Sequence, residues 1–185
     1  MKAGVILLTL LTTLIAGCAK TGNTLKTSYE DAAANPFVAA NREAIAKLVA
    51  GFDLKSALDQ PVLIATVVNV NDLRRTAPLG RTLSEQYASH MVSAGFNVKE
   101  LKLRGDVFVK EETGELLLSR EIKDIAQSHH ANHVLVGTYS VAATVTFVNL
   151  KFVRTEDSRI VRGHDYALPN DKDINKLLQD NSESQ

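Results

Sequence analysis

His129, His130 and His133 are the densest group of metal-ligating side chains in the 185-residue sequence. On a helix His129 and His133 would stand four apart on one face, a spacing that suits a zinc ion. The neighbouring residues argue against it. His133 adjoins the apolar run Val134–Tyr139, which reads as a strand, and Ala131-Asn132 reads as a helix end. The spacing is then broken, and no acidic residue stands beside the histidines to complete a ligand set. A histidine pair at a helix C-terminus has a simpler role, because imidazolium sits well against the negative end of the dipole. No metal site is assigned.

The remaining charged groups are less specific. Glu111, Glu112 and Glu115 cluster at a turn, where solvation is the simplest role and an acidic contact for a partner the other. Arg74-Arg75 lies in a polar loop; paired guanidiniums suit carboxylate partners, although a solvated loop explains them as well. Serine, histidine and aspartate are all present, but there is no Gly-x-Ser-x-Gly elbow. No Walker A motif is present, and no Gly-x-Gly-x-x-Gly follows a strand. No catalytic residue is assigned, and the expectation is a protein that is not an enzyme.

Cys18 is the single cysteine, and its place gives it a chemistry. Lys2 supplies a positive start, Val5 to Ile15 an apolar core, and Ala16-Gly17 a small-residue cleavage site. The apolar run is shorter than the about 20 residues of a transmembrane helix. Ile15-Ala16-Gly17-Cys18 resembles a bacterial lipobox, in which the thiol is joined to diacylglycerol and the chain is cut before it. The alternative is an ordinary signal peptide cut near Ala16 or Ala19, with Cys18 incidental. One acyl chain binds a membrane only marginally, whereas two or three anchor a protein stably. The expected cofactor inventory is therefore empty except for covalent diacylglycerol and N-acyl lipid on Cys18. Ala19, rather than Asp, follows the cysteine, which by the sorting rule of this class favours the outer membrane.

Composition limits the rest. The formal charge is zero and falls to −1 once Lys2 is removed, so nothing electrostatic favours nucleic acid. With Cys18 lipidated, no thiol remains for a disulfide or a thiolate metal site. What remains is long enough for one domain with its own core.

The elements expected to carry these residues follow from pattern. Residues 1–17 form the signal. Residues 18–35, polar and small, form a tether spanning about 20–25 Å. Asn35-Pro36 starts a helix over Phe37–Val49, with Gly51 as its stop. Val62–Val68 is apolar at nearly every position and predicts a central strand covered on both faces. Leu79, Leu83, Tyr87 and Met91 form a helical stripe ended by Gly95; Thr82 with Glu85 suggests a capping box, although Pro78 argues for an earlier start. Phe96–Leu103 alternates as a strand, and Val107–Val109 with Leu116–Leu118 reads as a hairpin turning at Gly114. Ser119 caps a third helix carrying Ile122, Ile125 and Ala126. Three strands follow, over 134–139, 144–154 and 159–167. In the second, Val145 and Phe147 share one face while Val148, Leu150 and Phe152 share the other. That phase change predicts a bulge or a strand covered on both sides. Residues 170–185 form a polar tail. The fold class is α/β: a single two-layer sandwich with helices packed on a mixed sheet and a C-terminal β-meander over residues 36–169.

Several segments together resemble the FlgO family of flagellar outer-membrane lipoproteins. They are Pro61–Asn69 (PVLIATVVN), Pro78–Gln86 (PLGRTLSEQ), Leu101–Asp106 (LKLRGD), Gly114–Glu121 (GELLLSRE), His133–Tyr139 (HVLVGTY) and Val148–Val153 (VNLKFV). The wider fold is similar to the α/β envelope domains of the TolB N-terminal, CsgG and LpoB kind. The resemblance implies a periplasm-facing, outer-membrane protein near the flagellar basal body that supports assembly or motility. Its partners would be other envelope or flagellar proteins, or further copies of itself, and no nucleic acid. It brings no catalytic residues, and Cys18 is the one functional position it matches. The same tethered architecture equally permits an LpoB-like module that regulates a peptidoglycan enzyme. An envelope hydrolase is a third reading and would need a site assembled in three dimensions.

Overall fold

The computed structural model describes residues 27–52, 60–73, 77–101, 108–110, 116–118 and 120–179. Two units are present, split between Ala33 and Ala34. The described part of the first holds one helical turn, α1 (Tyr29–Ala33). Ser28 caps it: its hydroxyl accepts from the Asp31 N–H, and the Asp31 carboxylate accepts from the Ser28 N–H. A stretch read as a flexible tether thus contains a turn fixed by its own capping box.

The second unit is built from α2 (Pro36–Leu48), β1 (Val62–Ala65), β2 (Val68–Asn69), α3 (Pro78–Ser93) and β3 (Val98–Leu101). It continues with β4 (Phe108–Lys110), β5 (Leu116–Leu118), α4 (Arg120–Ser128), β6 (His133–Val141), β7 (Val145–Arg154), β8 (Ile160–Pro169) and α5 (Lys172–Leu178). The main sheet runs β3-β1-β6-β7-β8, with β2 also on β6. β1 is parallel to β3 and β6, while β6, β7 and β8 form an antiparallel meander. β4 and β5 pair antiparallel, with Phe108 opposite Leu118.

Local signals explain most boundaries. Asn35 Oδ1 accepts the Phe37 N–H at 2.9 Å, and Pro36 occupies the first turn of α2. α3 also opens on a proline, with no side-chain cap at Ala77. Thr82 therefore lies inside the helix, and the capping box expected there does not form. α3 closes with Gly95 at φ +93°: its N–H reaches Val92 O, and the Phe96 N–H reaches Met91 O. That pair of bonds is a Schellman cap, with Phe96 and Met91 both buried. The proposed cap Ser119 lies outside the described residues.

The sheet has two unequal faces. On one, Val62, Ile64, Leu135, Val148, Leu150, Phe152 and Leu168 meet Ala44, Ile45 and Leu48 of α2. Leu79, Leu83, Tyr87 and Met91 of α3 and Ile174 of α5 complete this core. On the other face, Leu63, Ala65, Val134, Val136 and Val153 pack with Ala126 of α4. β1 is central and buried throughout, as its unbroken apolar run demanded.

Two details differ from the sequence pattern. The apolar run divides at Thr66-Val67, where the chain leaves the ladder before β2 resumes it. The bulge lies between Phe152 and Val153 rather than at Phe147/Val148. β7 alternates regularly through Val148, and Phe147 faces outward, 48% exposed.

Candidate functional site

The histidines separate once folded. His130 ends α4 in the left-handed region at φ +54°, a position usually held by glycine or asparagine. Its N–H reaches Gln127 O, and the Ala131 N–H reaches Ala126 O at 2.8 Å, a second Schellman cap. His133 opens β6 and stacks on Phe152, with ring centroids 4.9 Å apart and 11° between planes. Phe52 meets it edge-on at 5.4 Å. Burial, with Arg154 as the second cause, pushes the His133 pKa down, so the ring is neutral and aromatic in role. Among the described residues no three His, Cys, Asp or Glu side chains converge as a metal-binding group.

His130 instead borders a cleft of about 370 Å³ with Gln60, Gln127, Ala131, Asn132, Thr155 and Glu156. It lies where β1 and β6 begin and β7 ends. Thr155 closes it by two bonds across the strand ends: its hydroxyl donates to Ala131 O at 2.9 Å, and its N–H donates to Asn132 O at 2.9 Å. Gln60 Oε1 is buried there without a partner. The lining is polar, and Glu156 is its one carboxylate.

A polar chain, buried at Asn41 and Tyr87 and half-buried at Gln86 and Tyr166, runs along the main core. The Asn41 amide donates to Gln86 Oε1 at 2.6 Å, and its Oδ1 accepts from the Tyr166 hydroxyl. Tyr166 has spent its one proton, so Tyr87 is the donor in the contact between the two hydroxyls. Burial pushes both phenol pKa values up, strongly for Tyr87. Asn41 is fully buried, and the chain joins α2, α3 and β8. Every member has a partner, the condition under which a buried polar network rigidifies a fold.

Cys18, Arg74, Arg75, Glu111, Glu112 and Glu115 lie outside the described residues. Sequence reasoning missed both the cleft and the Asn41–Tyr166 chain. The one available signal for the latter was a lone asparagine on the apolar face of α2.

These features define a small α/β domain whose mixed sheet is closed by an antiparallel meander and whose internal polar groups brace helices against strands. The chain belongs to the FlgO family: the family model described as FlgO protein matches residues 42–173. Among solved structures, the LpoB C-terminal domain from Salmonella enterica superposes with a TM-score of 0.50 at 10% identity, covering 69% of this chain and 93% of that one. The LpoB C-terminal domain from Escherichia coli gives 0.49 at 14% identity, covering 71% and 97%. At such identities the likeness concerns the fold. Comparison with curated proteins finds no match.

Proposed function

We propose that this chain is a non-enzymatic lipoprotein of the bacterial outer membrane that supports flagellar assembly, basal-body stability or motility. The observation that carries this is the family match over residues 42–173, with a lipobox-like Ile15-Ala16-Gly17-Cys18 ahead of it. Cys18 bears the diacylglycerol and N-acyl groups, and the domain faces the periplasm. Its partners are envelope or flagellar proteins, and the Arg74-Arg75 loop is one contact offered to them.

The described polar groups accord with a structural role. The asparagine, glutamine and two tyrosines inside the domain bond to one another.

Deleting the gene in a flagellated host and measuring swimming tests the reading; unchanged motility removes its flagellar part. Labelling with a palmitate analogue tests the anchor, and a Cys18→Ala variant that still labels removes it. A pull-down dominated by peptidoglycan synthases rather than flagellar proteins would replace the flagellar role with that of a tethered enzyme regulator.

A further inference from the structure

The outer edge of the sheet is open among the described residues. β8 ends the strand order, and among the described residues nothing pairs with its far side. The Asn170 N–H donates inward to Thr144 O at 2.9 Å. By alternation Leu168, Tyr166, His164 and Arg162 bond toward β7, while Ala167, Asp165 and Gly163 aim their N–H and C=O groups outward. Pro169 falls on the outward set, where its missing N–H is tolerated. The bulge opposite Phe152/Val153 and this proline frame an open stretch over 162–168. A long unpaired edge of this kind is a template for a further strand.

The side chains beside that edge choose the occupant. On the sheet face away from α2 and α3, Lys151 stands opposite Gly163, Asn149 opposite Asp165, and Phe147 opposite Ala167. Asn149 holds Asp165 by a 2.9 Å bond, and Lys151 makes no ion pair among the described residues. We infer that two copies pair β8 to β8 antiparallel about a two-fold axis at His164. Gly163 then lies opposite Asp165 of the second copy, and both present outward backbone groups, as a hydrogen-bonded pair requires. Because Gly163 has no side chain, Lys151 reaches over it to Asp165 of the second copy, whose Cα is two strand spacings, about 10 Å, away. The symmetry makes this ion pair twice. Moving the axis to Asp165 would set two carboxylates face to face, and moving it to Gly163 would set the two lysines toward each other. Of these three axes, the one at His164 matches opposite charges. It also brings Phe147 and Ala167 toward the exposed Ile160 end of the second strand.

Sedimentation of the full chain in mild detergent tests this. The wild type is expected to form a dimer. Lys151→Asp and Asp165→Lys alone should each weaken it about tenfold or more by turning two attractions into repulsions. The double swap should restore it, with circular dichroism reporting that each variant is folded. His164→Cys should cross-link to itself on oxidation, since Cα atoms in such a non-hydrogen-bonded pair stand about 4.5 Å apart. A monomer at all concentrations, a stable complex only with a different protein on this edge, or a dimer indifferent to the swap and without the cross-link would overturn the proposal.

Discussion

The Val67 N–H donates to the Ser84 hydroxyl at 2.8 Å, and that hydroxyl donates in turn to Gly80 O at 2.8 Å. The bond sits at the break between β1 and β2, where the ladder along β6 is interrupted. A helix side chain thus substitutes for a missing strand partner, which is why Ser84 is buried on an otherwise apolar face of α3. Ser84→Ala removes that acceptor within the core. The expected loss is about 1–3 kcal/mol, read as a lower urea midpoint at unchanged slope. A variant as stable as wild type would show that the break needs no such support.

The same break explains a glycine in the middle of β6. A Cβ on Gly137 would meet Val67 Cγ2 at 3.0 Å and Leu150 Cδ2 at 3.1 Å. Gly137→Ala is expected to lie within about 1 kcal/mol of wild type, because a small shift of Val67 is offset by the restricted unfolded chain. Gly137→Val should lose about 1–3 kcal/mol by overpacking. Equal melting temperatures for the two variants would refute the close approach of Val67.

His133 carries a pH dependence whose sign follows from its environment. Its folded pKa is depressed below the ordinary 6.5 by burial, so the unfolded chain binds the proton more readily. Stability from this group is present above the unfolded pKa and is lost as pH falls through the folded one. His133→Phe keeps a ring on Phe152 and removes the titration. The variant should therefore gain on wild type as pH drops from 7 to 5 in paired denaturation curves. A difference that stays constant with pH would place the acid sensitivity elsewhere.

How much of this was legible in the sequence depended on distance along the chain. Pro36, Gly95 and the stripe Leu79–Leu83–Tyr87–Met91 announced α2 and α3, because caps and periodicity are local physics. The fold class followed from the order of such elements. The break at Thr66-Val67 was invisible, since every residue from Val62 to Val68 except Thr66 is apolar whichever way it points. His130 at positive φ was equally hidden: nothing in the residue type signals that it closes α4 as a glycine would. The cleft is assembled from Gln60, from Gln127 with His130-Ala131-Asn132, and from Thr155-Glu156, three stretches that meet only through sheet topology. The Asn41–Tyr166 bond spans 125 positions, beyond any local pattern.

That long-range bond sets the alkaline behaviour of the domain. Tyr87 and Tyr166 both have pKa values raised by burial above the usual 10, so the unfolded chain gives up these protons first. Their contribution is intact below the unfolded pKa and declines as pH rises through the folded values. Ultraviolet titration should accordingly show Tyr87 and Tyr166 ionising late, together with unfolding. Tyr166→Phe removes the centre of the chain and strands both the Tyr87 hydroxyl and Asn41 Oδ1, whereas Tyr87→Phe removes only a terminal donor. The first should lose about 2–4 kcal/mol and the second about 1–2, by the penalty for buried groups left unpaired. Hydroxyl deletions of equal size would mean that the three groups act as separate pairs, and a Tyr166→Phe variant at wild-type stability would mean that water already serves them.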